Sequence, residues 1–78
     1  MHSIEVIYKE HSKMVYRYLL SLTGDSDLAE ELTQETFFQA VKGIHRFDRS
    51  CKVSTWLCAI AKNQLMSWRR KNPVIEDR

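Results

Sequence analysis

Apolar residues recur at steps of three and four over three stretches of this chain, and polar clusters mark where each stretch stops. In the first, Ile4, Ile7, Tyr8, Val15, Tyr18, Leu19 and Leu22 fall on one side of a 3.6-residue helix. This predicts a helix from Ser3 to Thr23, with Ser3 as N-cap because its hydroxyl can accept from the free amides of the first turn. "TGDSD" breaks the pattern. Gly24 can take the left-handed conformation that ends a helix, and Asp25, Ser26 or Asp27 can cap the next one. So short a connection predicts antiparallel neighbours. The second helix is expected over Ser26 to Ile44, with Ala29, Leu32, Thr36, Phe37, Ala40, Val41 and Ile44 facing inward. The third should start at Val53 or Ser54 and stop before Pro73, whose ring disfavours a helical residue ahead of it. Its inward stripe is Leu57, Ile60, Ala61, Leu65 and Trp68.

The fold class that follows is all-α: a compact three-helix bundle with a basic loop between the second and third helices. With 78 residues there is room for one small domain. We expect it over residues 1–72, with 73–78 as a tail or the start of a linker. Gly24, Gly43 and Pro73 are the only glycines and proline, which suits a helical chain. No apolar run approaches the ~20 residues of a membrane span. Glu5, Lys9, Glu10 and Lys13 interrupt the apolar centre that a signal peptide would need. A cytoplasmic protein with no membrane contact is expected.

The net charge of +2 conceals an asymmetry. From Asp25 to Val41 the chain carries five acids and no base; from His45 to Asn72 it carries seven bases and one acid. One element suits a basic partner and another an anionic one. On the second helix Glu31, Gln34, Glu35 and Phe38 share an outward face. Acids alone would read as a solvated surface, but a large aromatic among them is typical of a partner-binding patch. In the loop and third helix, Arg46, Arg49, Lys52, Lys62 and Arg70 can reach phosphates. Phe47 can either anchor the loop or stack on a base. Asn63, mid-helix and outward beside Ala59, Met66 and Arg69, carries a donor and an acceptor on one amide, which can pair with a base edge.

Catalytic patterns are absent: there is no Gly-rich phosphate loop, metal-binding HExxH or nucleophile elbow. His45 with Asp48 or Cys51 could form a dyad, but a three-helix domain offers little concavity around it. His45, Cys51 and Cys58 lack the number and spacing of a zinc site, and the cysteines should be free thiols in different local contexts. We therefore expect no enzyme, no metal and no cofactor. A helical protein-interaction module that uses only the acidic face is the competing expectation.

The order of these parts is similar to that of a known family. "DLAEELTQETF", "RFD", "STWL" and "IAKN" followed by "RRK" resemble, in order and spacing, the second conserved region of bacterial sigma factors of the extracytoplasmic-function type. The resemblance covers nearly the whole chain. It implies a transcription initiation domain with two tasks. The acidic second helix docks on the clamp helices of the RNA polymerase largest subunit, which maps to Glu31, Gln34 and Glu35, with Phe38 beside them. The loop and third helix recognise the minus-ten promoter element as it opens and hold one non-template base flipped into a loop pocket. The matching positions are Phe47 and Asn63, with the basic residues around them. An anti-sigma factor is a further partner where one exists, and a monomer is expected. Two departures stand out. Housekeeping members carry paired aromatics where this chain has Ala59 and Ile60, which implies weaker duplex melting. Members of the type also continue to a second helical domain, whereas this sequence ends at Arg78.

Overall fold

A computed structural model of the chain describes residues 4–47 and 50–73. The cap expected of Ser3, the phosphate contact expected of Arg49, the dyad partner Asp48 and the tail beyond Pro73 lie outside the described residues. Three helices account for the fold: α1 over Ile4–Thr23, α2 over Ser26–Gly43 and α3 over Val53–Lys71. A single 3-10 turn, Ile44–Arg46, follows α2. The α-helix thus ends one residue earlier than its apolar pattern, and Ile44 opens the tighter turn.

The helices run antiparallel in succession. Tyr8, near the start of α1, meets Phe37, late in α2, edge to face at 5.0 Å. Gly43, at the end of α2, lies against Trp56 at the start of α3. The break between α1 and α2 satisfies itself locally. Gly24 adopts φ +66, the left-handed region that favours glycine, and its N–H donates to the Leu20 carbonyl at 2.8 Å. Among the three candidate caps it is Asp25 that acts, its Oδ1 accepting from the amides of Asp27 at 3.1 Å and Leu28 at 3.2 Å.

Ile7, Val15 and Leu19 from α1, Ala29, Leu32, Phe37 and Ala40 from α2, and Leu57, Ala61 and Leu65 from α3 make the core. The three alanines are fully buried, which lets the helices approach closely. Each large side chain here contributes about 1.5–3 kcal/mol by leaving water. Thr36 is also fully buried, and its hydroxyl donates to the Leu32 carbonyl at 2.7 Å, so no polar atom is stranded. Thr33, which the periodicity did not mark, is buried in the same way with its hydroxyl on the Ala29 carbonyl.

Three residues expected inside are outside: Tyr8, Leu22 and Val41 are 48%, 42% and 50% exposed. A seven-residue apolar stripe is wider than the strip a helix can bury against two neighbours. Tyr8 and Val41 lie at its margins, and Leu22 lies at the end of α1. Ile60 and Trp68, also placed in the inward stripe, are half-buried.

Candidate nucleic-acid and partner interfaces

Two surfaces of opposite chemistry emerge from this packing. The first lies on α2, where Glu31, Gln34, Glu35 and Phe38 are all exposed. Phe38 is 56% exposed, and Lys42, one turn on, holds its Nζ 4.6 Å from the ring centroid. Such a cation over a ring restrains the side chain without covering it from a partner. A groove of about 430 Å³ between α1 and α2 joins Tyr8 and Val41 to Gln34 and Phe38. Lys42, Tyr8 and Val41 therefore belong to the surface although sequence reasoning missed them. The i+4 step from Phe38 to Lys42 was a readable signal, whereas the exposure of Tyr8 and Val41 depends on where α1 crosses α2. At its other end the acidic face borders α3: Glu31 and Glu35 share a crevice of about 270 Å³ with Gln64, Trp68 and Lys71.

The second surface joins the end of α2, the 3-10 turn and α3. Arg46 is exposed in that turn; Lys52 is exposed at the N-cap position of α3; Lys62, Asn63 and Arg70 are exposed along the helix. Phe47 leaves the turn half-buried and stacks on Trp56, with ring centroids 4.7 Å apart and planes 25° from parallel. A hollow of about 340 Å³ brings Arg46 and Asn63 together, with Gln39, Gly43, Trp56, Ile60 and Gln64 completing its lining. Lys52, Lys62 and Arg70 lie outside that hollow. Trp56, Gln39 and Gln64 were not singled out from sequence. Trp56 and Gln64 stand eight residues apart on one face of α3, with Ile60 and Asn63 between them, a readable helical spacing, whereas Gln39 reaches the site from another helix and no pattern within α3 points to it.

Two further side chains are turned to structural ends. Arg69, read from sequence as part of the basic face, donates from Nη2 to the Leu22 carbonyl at 3.3 Å. α1 has no basic residue in its last turn, and Arg69 supplies a positive charge to that helix's negative end. Cys58 is half-buried with its Sγ donating toward Met14 Sδ at 3.5 Å, and burial pushes its thiol pKa up. Cys51 is exposed, and both cysteines are free. Among the described residues no group of three His, Cys, Asp or Glu side chains is placed to hold a metal, and no helix is long and apolar enough to cross a membrane.

An acidic, aromatic helix face beside a basic, amide-bearing one invites comparison with known proteins. Residues 7–73 match the family described as Sigma-70 region 2. The chain belongs to that family. It is 46% identical over 70 residues to the ECF RNA polymerase sigma factor SigM of Bacillus subtilis, covering 90% of this chain and 42% of that protein. It is 31% identical to the RNA polymerase sigma factor YlaC of the same species, over 90% of this chain and 40% of the relative. The ECF RNA polymerase sigma factor SigL of Mycobacterium tuberculosis is 34% identical over 86% of this chain and 38% of its own length. This region 2 chain thus spans about two fifths of the length of the curated relatives it matches. Family membership agrees with the resemblance carried by the sequence motifs, including its extracytoplasmic-function character, and the all-α bundle is the fold those motifs implied.

Proposed function

We propose that this region 2 domain, residues 1–72, is a transcription initiation module without catalysis of its own. It docks on RNA polymerase core and recognises the minus-ten promoter element as melted non-template strand. The observation that carries this reading is the placement of two chemically opposite surfaces on one small bundle. Glu31, Gln34, Glu35 and Phe38 offer acids around an exposed aromatic, which suits a basic, partly apolar helix such as those of the polymerase clamp. Arg46, Lys52, Lys62 and Arg70 offer phosphate contacts around Asn63, and Arg49 is assigned the same role. Phosphate contacts set register while the Asn63 amide reads a base edge. Ala59 is exposed and Ile60 half-buried where a melting wedge would stand. So small a wedge favours a strand that is already open, because it has little to insert between stacked pairs. The domain acts in the cytoplasm as a monomer and needs no cofactor. An anti-sigma factor, where one exists, would compete for these surfaces.

The test has two arms. In the first, labelled strands are selected from a random single-stranded DNA pool, and the selected sequence is compared with its own duplex by fluorescence anisotropy. Tighter binding to the single strand is expected, with affinity falling about 0.7 log units per neutralised phosphate for each log unit of salt. Asn63→Ala should flatten preference at one position by about 1–3 kcal/mol. In the second arm, purified bacterial RNA polymerase core is titrated with the domain, and Phe38→Ala should cost about 1–3 kcal/mol. Polymerase binding with no strand preference would leave only the helical protein-interaction module.

A further inference from the structure

Along α2 the exposed face changes sign. Glu31, Gln34, Glu35, Phe38, Val41 and Lys42 recur at steps of three and one, and each is exposed. Glu35 and Glu31 stand one and two turns before Phe38. Lys42 stands one turn after it, and Arg46 is exposed a further turn on, in the 3-10 turn. The stripe is therefore acidic on one side of its aromatic and basic on the other. Among the described residues neither Glu31 nor Glu35 forms an ion pair, so their charge is not used inside the fold. Phe38 does not stand alone either. Tyr8 and Val41 are exposed beside it, and with Ile4 and Phe37 they line the groove of about 430 Å³ between α1 and α2.

A face with this order is complementary to itself. A two-fold axis at Phe38 lays a second α2 antiparallel on the first. That brings each Glu35 toward Lys42 of the other copy and each Glu31 toward its Arg46. A parallel pair would set acid against acid, so the charges select one orientation. The same operation sets Phe38 and Val41 of one copy against the apolar groove of the other. One patch thus covers itself, as an isologous interface requires. We infer that a second copy of this chain docks antiparallel on this face, Glu35 against Lys42, and that pairing closes the surface proposed for polymerase. This rests on the proposed docking reading only for the competition with core. The monomer remains the acting form, and the pair keeps its docking face covered until core displaces it. One helix face and one groove make a small contact, so the pairing belongs to the weak class of interfaces.

Sedimentation velocity of the 78-residue chain over about 10 µM to 1 mM reads the pairing. A monomer–dimer equilibrium that weakens with salt is expected. Phe38→Ala should weaken it about tenfold or more, as loss of an interface anchor does. Glu35→Lys and Lys42→Glu should each weaken it about tenfold, because each sets like charges opposite one another twice per pair. The double variant, Glu35→Lys with Lys42→Glu, restores opposite charges and should recover most of the lost pairing. It should not recover binding to polymerase core, because the acid at position 35 is still gone. All three positions are exposed, and circular dichroism checks that each variant folds. A monomer at every concentration overturns the inference and leaves the docking reading standing. A dimer that ignores all three single substitutions uses another face and also overturns it, as does one that the double variant fails to restore. Core is then titrated into the wild-type pair, and the dimer should dissociate as core binds. Core that binds the intact pair overturns the inference. Core that binds neither form overturns the docking reading, and with it the competition, while the pairing itself stands.

Discussion

The two connections of this bundle are built on different principles. Between α1 and α2 nearly every contact is local: Gly24 turns the chain, Asp25 caps α2, and the Thr23 hydroxyl donates to the Leu19 carbonyl at 2.9 Å while accepting from the Asp25 amide at 3.2 Å. Between α2 and α3 the 3-10 turn has no side-chain cap, and the loop is held through Phe47 on Trp56, nine residues away on the next helix. The first connection uses its polar groups on itself and has few left for a partner. The second leaves Arg46, Lys52 and the neighbouring amides outward and unspent. Among the described residues the first turn is closed by its own polar side chains, whereas the second adds to its backbone bond from Phe47 to Ile44 a ring contact with the next helix.

The difference can be broken at either end. The largest effect is expected in the loop. Trp56→Ala removes the surface under Phe47, and for a half-buried indole the loss of stability should be about 2–3 kcal/mol, below the 3–5 typical of full burial. Trp56→Phe, which keeps a ring for the stack, should recover most of it; denaturant unfolding measures both. At the turn, Gly24→Ala forces a side chain into the left-handed region and should cost about 1–2 kcal/mol, with strand binding unchanged. Asp25→Ala frees two amides of α2 and should cost about 1 kcal/mol, again without touching strand affinity. Loss of strand binding in either turn variant at a temperature where it stays folded would show that the two connections are not separable.

The adjacent arginines sharpen the contrast further. Arg69→Ala should lower stability by about 0.3–1 kcal/mol, since it removes the charge at the end of α1, and should leave the salt dependence of strand binding in place. Arg70→Ala should do the reverse, with stability kept and the salt slope reduced by about 0.7. Equal effects of both on the slope would return Arg69 to the DNA face. Smallest of all, Gly43→Ala should raise stability by about 0.4–1 kcal/mol, because its backbone suits alanine and the unfolded chain loses freedom. The same substitution has opposite signs at Gly24 and Gly43, and that sign separates the left-handed turn from the ordinary helix end.

Much of this was legible in the residues. The helix boundaries fell within a residue of the apolar pattern where the structure describes them. Gly24 as a left-handed terminator, a cap of α2 within Asp25, Ser26 and Asp27, and the exposed faces of Phe38 and Asn63 were all readable, because each depends on neighbours within one or two turns. So was the family, through motifs carried on those same faces. Tertiary packing decided the rest. It sent Tyr8 and Val41 outward to join Phe38, because a helix buries only the strip that meets its neighbours. It laid Phe47 on Trp56, where the sequence left it between loop anchor and base platform. It spent Arg69 on the α1 terminus, and it gathered Gln39, Trp56 and Gln64 into one hollow. Periodicity assigns a side chain to a face of its own helix, but which faces meet depends on the crossing of two helices, a relation that no single stretch of sequence contains.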